Sequence, residues 1–262
     1  MSEHTKFAHL GKPGTAFTAG FQRRLDLIKK YVDFSNKKVL DMGCGEGVWL
    51  EEFAKLSGFD NVYGSEYDND QVVKLKEDLG KRKRENGDRQ PSVVNPKNIV
   101  NCPGENLVFE DDFFDIVFHN EVLEHVQVDL KTLQECFRVL KKGGLMVFFT
   151  PNRLWPFEQH GMFLGGKYYW GNIPLLPWMP NIIYKKFAPH VRSYWGSELK
   201  NMIKKSTSNS EFVKYTQIFP GFDGAVRRLG LVGKLIQKTF LFLEKTPLHI
   251  FGISHFVIVR KL

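Results

Sequence analysis

Short apolar runs punctuate the chain between residues 38 and 150, and apolar positions at helical spacing fill the gaps between them. The runs at 38–41, 61–65, 98–101, 114–119 and 144–150 are too short for helices and rich in Val, Ile and Phe, so they predict strands. Residues 47–56, 70–79 and 130–139 predict helices, as does 18–32, where Phe21, Leu25, Ile28 and Val32 recur close to the α-helical period. Strands alternating with helices imply an α/β fold, a parallel sheet covered on both faces, with ligands beyond the carboxyl ends of its strands. The 18–32 helix is expected over the mouth of that site. Past residue 150 the alternation stops: 212–219 and 255–259 predict two further strands, separated by a helical segment over 225–243.

Residues 151–194 break the pattern. Trp155, Phe157, Tyr168, Tyr169, Trp170 and Trp178 fall among prolines at 151, 156, 174, 177, 180 and 189. Such a stretch is too aromatic for an ordinary connection and too interrupted for a long helix. It predicts a cap inserted within one domain spanning 1–262, folded over the substrate side. Three uses are open to its aromatics: a small core of the cap itself, the lining of an acceptor pocket, or an exposed surface for a membrane or partner.

The first apolar run ends in Val39-Leu40-Asp41-Met42-Gly43-Cys44-Gly45-Glu46-Gly47, where an acid gives way to alternate glycines. Glycines there allow a ligand close to the backbone and permit positive φ, which predicts a cofactor-binding turn leading into a helix. A second run, Asn61-Val62-Tyr63-Gly64-Ser65-Glu66, ends in a carboxylate about twenty residues further on, the place of a ribose-binding acid in nucleotide-binding α/β folds. The glycines lack the third, helix-packing position of the dinucleotide fingerprint.

Composition narrows the class. With 262 residues and 42% hydrophobic content, a large core can be buried without disulfide staples. Cys44, Cys102 and Cys136 are an odd, sparse set, consistent with a reducing, cytoplasmic compartment, and no stretch has the make-up of a signal peptide or a bilayer span. The net charge of +8 favours an anionic counterpart, whether nucleic acid, acidic lipid or phosphorylated substrate. Lys81-Arg82-Lys83-Arg84 and Arg89 suit a solvated helix end and loop, and pairs such as Lys141-Lys142, Lys185-Lys186 and Arg227-Arg228 are not interleaved with aromatics, so base readout of nucleic acid is not supported. Lys234 and Lys238 share a helix face at i and i+4, with Leu231, Leu235 and Phe242 placed nearer the opposite side. That helix either packs internally or lies peripherally on a membrane.

The glycine turn and Glu66 are followed in order by Gly104-Glu105-Asn106-Leu107-Val108-Phe109-Glu110-Asp111, Phe114-Asp115-Ile116-Val117, Glu121-Val122-Leu123-Glu124-His125-Val126 and Val139-Leu140-Lys141-Lys142-Gly143-Gly144. From about residue 39 to 152 this series resembles the class I S-adenosylmethionine-dependent methyltransferases, which implies a Rossmann-like, mostly parallel sheet closed by an antiparallel last strand. The resemblance assigns Asp41, Gly43, Cys44, Gly45 and Gly47 to the methionine moiety of S-adenosylmethionine and Glu66, followed by Tyr67, to the ribose. It assigns Gly104-Glu105 to the adenine edge and Asn120 to the surroundings of the methyl group. Many members carry Asp where this chain has Pro103, so adenine contact falls to Glu105 or to backbone.

Glu121, Glu124 and His125, at i, i+3 and i+4, would share a face of a helix starting after Asn120. With His160 downstream they resemble the site of metal-assisted O-methyltransferases, among them ubiquinone-pathway and small-RNA 3′-terminal enzymes. Glu121, Glu124, His125 and His160 would then hold Mg²⁺, Mn²⁺, Fe²⁺ or Zn²⁺ and lower the pKa of an acceptor oxygen. A metal-free reading has His125 and His160 as catalytic bases, and a third leaves the motif structural. The function expected is O-methylation of an apolar or lipid-linked small molecule. The alternatives are a soluble metabolite or RNA terminus as acceptor, or a catalytically silent binding subunit.

Overall fold

A computed structural model describes residues 19–86 and 94–262. The chain forms two compact units, each built from separated stretches of sequence. The sheet unit comprises Val32–Phe148, Lys200–Lys214 and Val257–Leu262. The other comprises Met1–Tyr31, Phe149–Leu199 and Tyr215–Phe256.

In the sheet unit β1 (Val39–Met42) is followed by α2 (Val48–Ser57), β2 (Val62–Glu66), α3 (Asn69–Asn86), β3 (Ile99–Asn101), β4 (Phe114–Asn120), α4 (Asp129–Val139) and the start of β5 (Leu140–Pro151); α1 (Ala19–Lys29) precedes them in the other unit. β1 is buried at all four positions, so its apolar run faces helices on both sides of the sheet. It pairs in parallel with β2, Val39 opposite Val62, and with β4, Val39 opposite Ile116. With β10 (Ser210–Ile218) and β11 (Ser254–Lys261) the strand order is β10-β11-β5-β4-β1-β2-β3. Leu262 N–H donates to Asn209 O and Ile253 N–H to Ile218 O, so β11 runs antiparallel to β10; the last strand is the antiparallel one, as the resemblance implied.

Buried aromatics fill the core. Phe53 of α2 stacks on Phe34 with centroids 5.1 Å apart and meets Phe118 of β4 edge-on at 4.9 Å, while Trp49 lies 4.7 Å from Phe118. Several boundaries differ from expectation. α3 runs past Leu79 to Asn86 because Gly80 sits on an open helix face, where a glycine costs only about 1 kcal/mol. Thr18, Arg89 and the side chains of 82–86 lie outside the described residues. β5 starts at Leu140 rather than 144, Gly143 taking φ 78° within the strand.

The second unit contains four short strands, β6 (Phe157–Glu158), β7 (Met162–Leu164), β8 (Lys167–Tyr169) and β9 (Ile173–Pro174), paired antiparallel as β6 with β9 and β7 with β8. α5 (Asn181–Phe187) follows; α6 (Gly196–Ser206) begins in this unit and from Lys200 belongs to the sheet unit. Leu176, Tyr184, Ala188 and Val191 form a buried cluster with Met162, Ile173 and Phe187 packed on it, so this segment has its own small core. The helical segment expected over 225–243 is two helices, α7 (Asp223–Leu229) and α8 (Leu231–Leu243), parted at Gly230, whose φ 53°, ψ −117° only glycine adopts readily. Among the described residues no helix is long and apolar enough to cross a membrane.

Candidate active site

The carboxyl ends of β4, β1 and β2, neighbours in the sheet, carry Asn120, Met42 and Glu66. The turn after β1 is drawn onto β2 by Gly43 and Cys44, whose N–H groups both donate to Ser65 O at 2.7 and 3.0 Å. Gly43, Gly45 and Gly47 take φ of 73°, 50° and 81°. A Cβ on Gly43 would meet the Val122 side chain at 2.6 Å, so the glycine both permits the turn and lets the segment after β4 close on it. Gly47 caps α2 with no side-chain bond.

Glu66 is half-buried, and each of its carboxylate oxygens takes one backbone N–H: Oε2 from Gly45 and Oε1 from Asp68, both at 3.0 Å. Each oxygen keeps a second lone pair. Asp41 is buried, and its Oδ2 has no hydrogen-bond partner. Burial, reinforced by the charge of Glu66, pushes its carboxyl well above the usual range. Burial also raises the Cys44 thiol, with Asp41 and Glu66 adding to it. Tyr67 is exposed; Asn101 Nδ2 fastens the backbone on both sides of it, donating to Glu66 O at 2.9 Å and Tyr67 O at 2.8 Å. Gly104 lies where a Cβ would touch Met42 Sδ and Thr132 Cγ2 at 3.0 Å. The neighbouring Glu105 Oε1 accepts N–H from Gln127 at 2.6 Å and Val128 at 3.0 Å, which holds the chain just ahead of α4.

The helix expected after Asn120 does not form. Glu121 has φ 53°, outside helical space, and a turn closed by His125 N–H to Val122 O at 2.9 Å leads to α4 at Asp129. Val122 over Gly43 and the Glu105 bonds hold this segment, so tertiary contacts override its spacing. Glu121, Glu124 and His125 therefore sit on a turn. Glu124 is buried, His125 is half-buried, and their side chains approach to 4.0 Å.

Residues 40–148 match the family model described as a methyltransferase domain. Over that stretch the chain is similar to methyltransferases, and its fold is one that S-adenosylmethionine-dependent methyltransferases share. It is 28% identical over 175 residues to a ubiquinone biosynthesis O-methyltransferase of Bartonella quintana, covering 66% of this chain and 60% of that protein. It is 31% identical over 130 residues to the protein of the same name from Hydrogenovibrio crunogenus, covering 50% and 49%. The chain thus spans about half to three fifths of the length of these curated relatives. The crystal structure of an S-adenosylmethionine-dependent methyltransferase from Mesorhizobium loti has a TM-score of 0.59 over 94% of this chain and 99% of that one, at 15% identity, a likeness of fold.

His160, singled out by the sequence, is held by partners that sequence reasoning missed. In the second unit, Glu158 Oε1 accepts from His160 N–H at 2.9 Å and faces His160 Nδ1 at 2.8 Å, and its Oε2 accepts Tyr184 O–H at 2.7 Å. Burial would raise the Glu158 carboxyl, but the bonds from His160 and Tyr184 outweigh it and hold it below its ordinary value. A carboxylate facing Nδ1 fixes the proton there, which sets the His160 tautomer. His160 O is held in turn by Tyr168 O–H at 2.7 Å and His190 Nε2 at 2.9 Å. The signal was legible only as an acid two residues before a histidine; Tyr184 is too distant in sequence to be read from it.

Proposed function

We propose that the chain is an S-adenosylmethionine-dependent O-methyltransferase whose acceptor is an apolar or lipid-linked small molecule. The observation that carries the cofactor half is Asp41 Oδ2, buried and without a partner beside a turn of three positive-φ glycines. A buried acceptor left unpaired costs about 1–3 kcal/mol, which a cationic, hydrogen-bonding ligand would offset. Glu66, held by two backbone N–H groups with lone pairs to spare, suits a pair of ribose hydroxyls. Gly43, Cys44, Gly45 and Gly47 would take the methionine moiety, Tyr67, Gly104 and Glu105 the adenosine side, and Asn120 the surroundings of the methyl. When bound, S-adenosylmethionine supplies a methyl already activated on sulfonium, so the protein has chiefly to align the acceptor and remove its proton.

For that proton we assign His125 and His160. His160 is supported by its fixed tautomer, which leaves Nε2 as the basic nitrogen. The pairing of buried Glu124 with His125 favours a second reading, a divalent ion held by Glu121, Glu124, His125 and His160, which would lower the acceptor's pKa. The lipid-linked acceptor is supported by the ubiquinone biosynthesis O-methyltransferases among the relatives and by the exposed Trp170, Trp178 and Ile182 of the second unit, with peripheral membrane contact as its natural setting.

Glu66→Ala is expected to weaken S-adenosylmethionine by about 2–4 kcal/mol in calorimetry. Unchanged affinity with the fold intact removes Glu66 from the site. Transfer of labelled methyl to a polyprenyl catechol rather than to a short soluble catechol checks the acceptor; transfer to the soluble compound alone overturns it, and cofactor binding without transfer to any acceptor points to a silent subunit. Activity that survives exhaustive chelation discards the ion, and activity that survives His125→Ala with His160→Ala discards both readings.

A further inference from the structure

We infer that the outer face of α8 docks the protein on an anionic lipid surface. The opposite-side placement expected for the lysines of this helix is wrong: at about 100° per residue Leu231, Lys234, Leu235, Lys238 and Phe242 fall on one face, and that face is exposed. Leu231, Leu235 and Phe242 are 83%, 66% and 65% exposed, and Lys234 and Lys238 lie exposed on the same face. The inner face is accounted for: Gly233 is buried where a Cβ would run into the Ala225 backbone of α7, Gln237 donates to Gly221 O, and Phe240 packs on Phe222 at 4.6 Å and Phe219 at 5.0 Å. α8 is therefore seated by one side, and its other side presents a stripe of large apolar groups edged by lysines.

Charge selects the occupant. Between Asp223 and Glu244 the chain has no acidic residue but carries Arg227, Arg228, Lys234 and Lys238. The two flanking acids are engaged within the unit, Asp223 by Gly20 N–H at 3.1 Å and Glu244 by Arg23 and Phe219 N–H. An apolar stripe with unopposed cationic edges fits acyl chains beneath anionic headgroups, and a like-charged second copy is disfavoured. This deepens the proposed function by supplying a place to meet a lipid-linked acceptor, but it rests on that reading for its purpose only. Glu66→Ala, which disables the cofactor site, is expected to bind vesicles as the parent does.

The test is co-sedimentation of the full chain with vesicles of phosphatidylcholine, alone or mixed with phosphatidylglycerol. Binding to the mixed vesicles at low salt, reversed by high salt, is expected. Lys234→Gln with Lys238→Gln should lower the partition coefficient roughly 10- to 30-fold, from about 1 kcal/mol per basic residue. Leu231→Ser with Leu235→Ser, both on the exposed face, should lower it comparably with circular dichroism unchanged. Equal recovery with neutral lipid, no binding at low salt, or undiminished binding by both double variants overturns the proposal. So does loss of binding only with Ile182→Ser and Ile183→Ser in α5, or a change in sedimentation coefficient with the α8 variants, which would make the face a contact between copies.

Discussion

The glycine turn of the sheet unit and the Glu158 cluster of the second unit solve the same problem, holding a few polar groups in place, by opposite means. At the turn, backbone does the holding: Ser65 O takes two N–H groups, Glu66 takes two more, and glycines remove the side chains that would intervene. Around Glu158, side chains hold one another, Tyr184 and His160 on one carboxylate and Tyr168 and His190 on one carbonyl. A backbone-held site follows from strand register and tolerates surface change. A side-chain-held site depends on each member, so its loss should be local and stepwise.

The largest effect expected from breaking this comparison is at the support of the turn. Phe53→Ala empties a position between Phe34 and Phe118 and should cost about 3–5 kcal/mol in urea unfolding. A loss below 1 kcal/mol would mean that the sheet's core is not what holds the turn. Next is His119 of β4, fully buried against Phe148, with neither ring nitrogen hydrogen-bonded and its pKa pulled down by burial to about 3. The native imidazole stays neutral while the unfolded one takes up a proton below about 6.5, so this group withdraws stability as pH falls from 6.5 towards 3. His119→Leu should cancel about 2 kcal/mol of the difference in stability between pH 7.5 and pH 5. An unaltered difference would show that the imidazole is not neutral in the fold.

The second unit should answer more quietly. Tyr184→Phe removes one donor from Glu158 while keeping the ring, at about 1–2 kcal/mol, and should leave unfolding of the sheet unit by hydrogen exchange unchanged. Spread of the effect to β1 and β4 amides would blur the contrast between the two sites. Trp170→Ser, at a strongly exposed aromatic, should move stability by less than about 0.5 kcal/mol.

The difference in construction also explains what the sequence disclosed. β1, β2 and β4 were readable because strands buried on both faces are written as apolar runs, and Asp41 and Glu66 because they end those runs. The turn at 121–125 was not, since Glu105 and Val122 override a helical spacing from positions that no local pattern shows. β6 to β9 are two or three residues long, below the length at which alternation can be recognised, and α6 was not anticipated at all. Gly230 lay in plain view, but whether a glycine bends a helix or rides within it, as Gly80 does, depends on what the next turn packs against.

Cys44 gives the turn a further property. Its thiol is buried, its pKa is raised, and a Cβ on Gly64 would touch its sulfur at 2.8 Å, so the sulfur occupies space that β2 leaves for it. An alkylating reagent therefore reaches it only when the turn opens, and the labelling rate scales with the open fraction of the turn as well as with the reactivity of the thiol. A ligand that clamps the turn slows labelling in proportion to its occupancy, so a native thiol serves as a kinetic gauge of cofactor capture without an introduced cysteine.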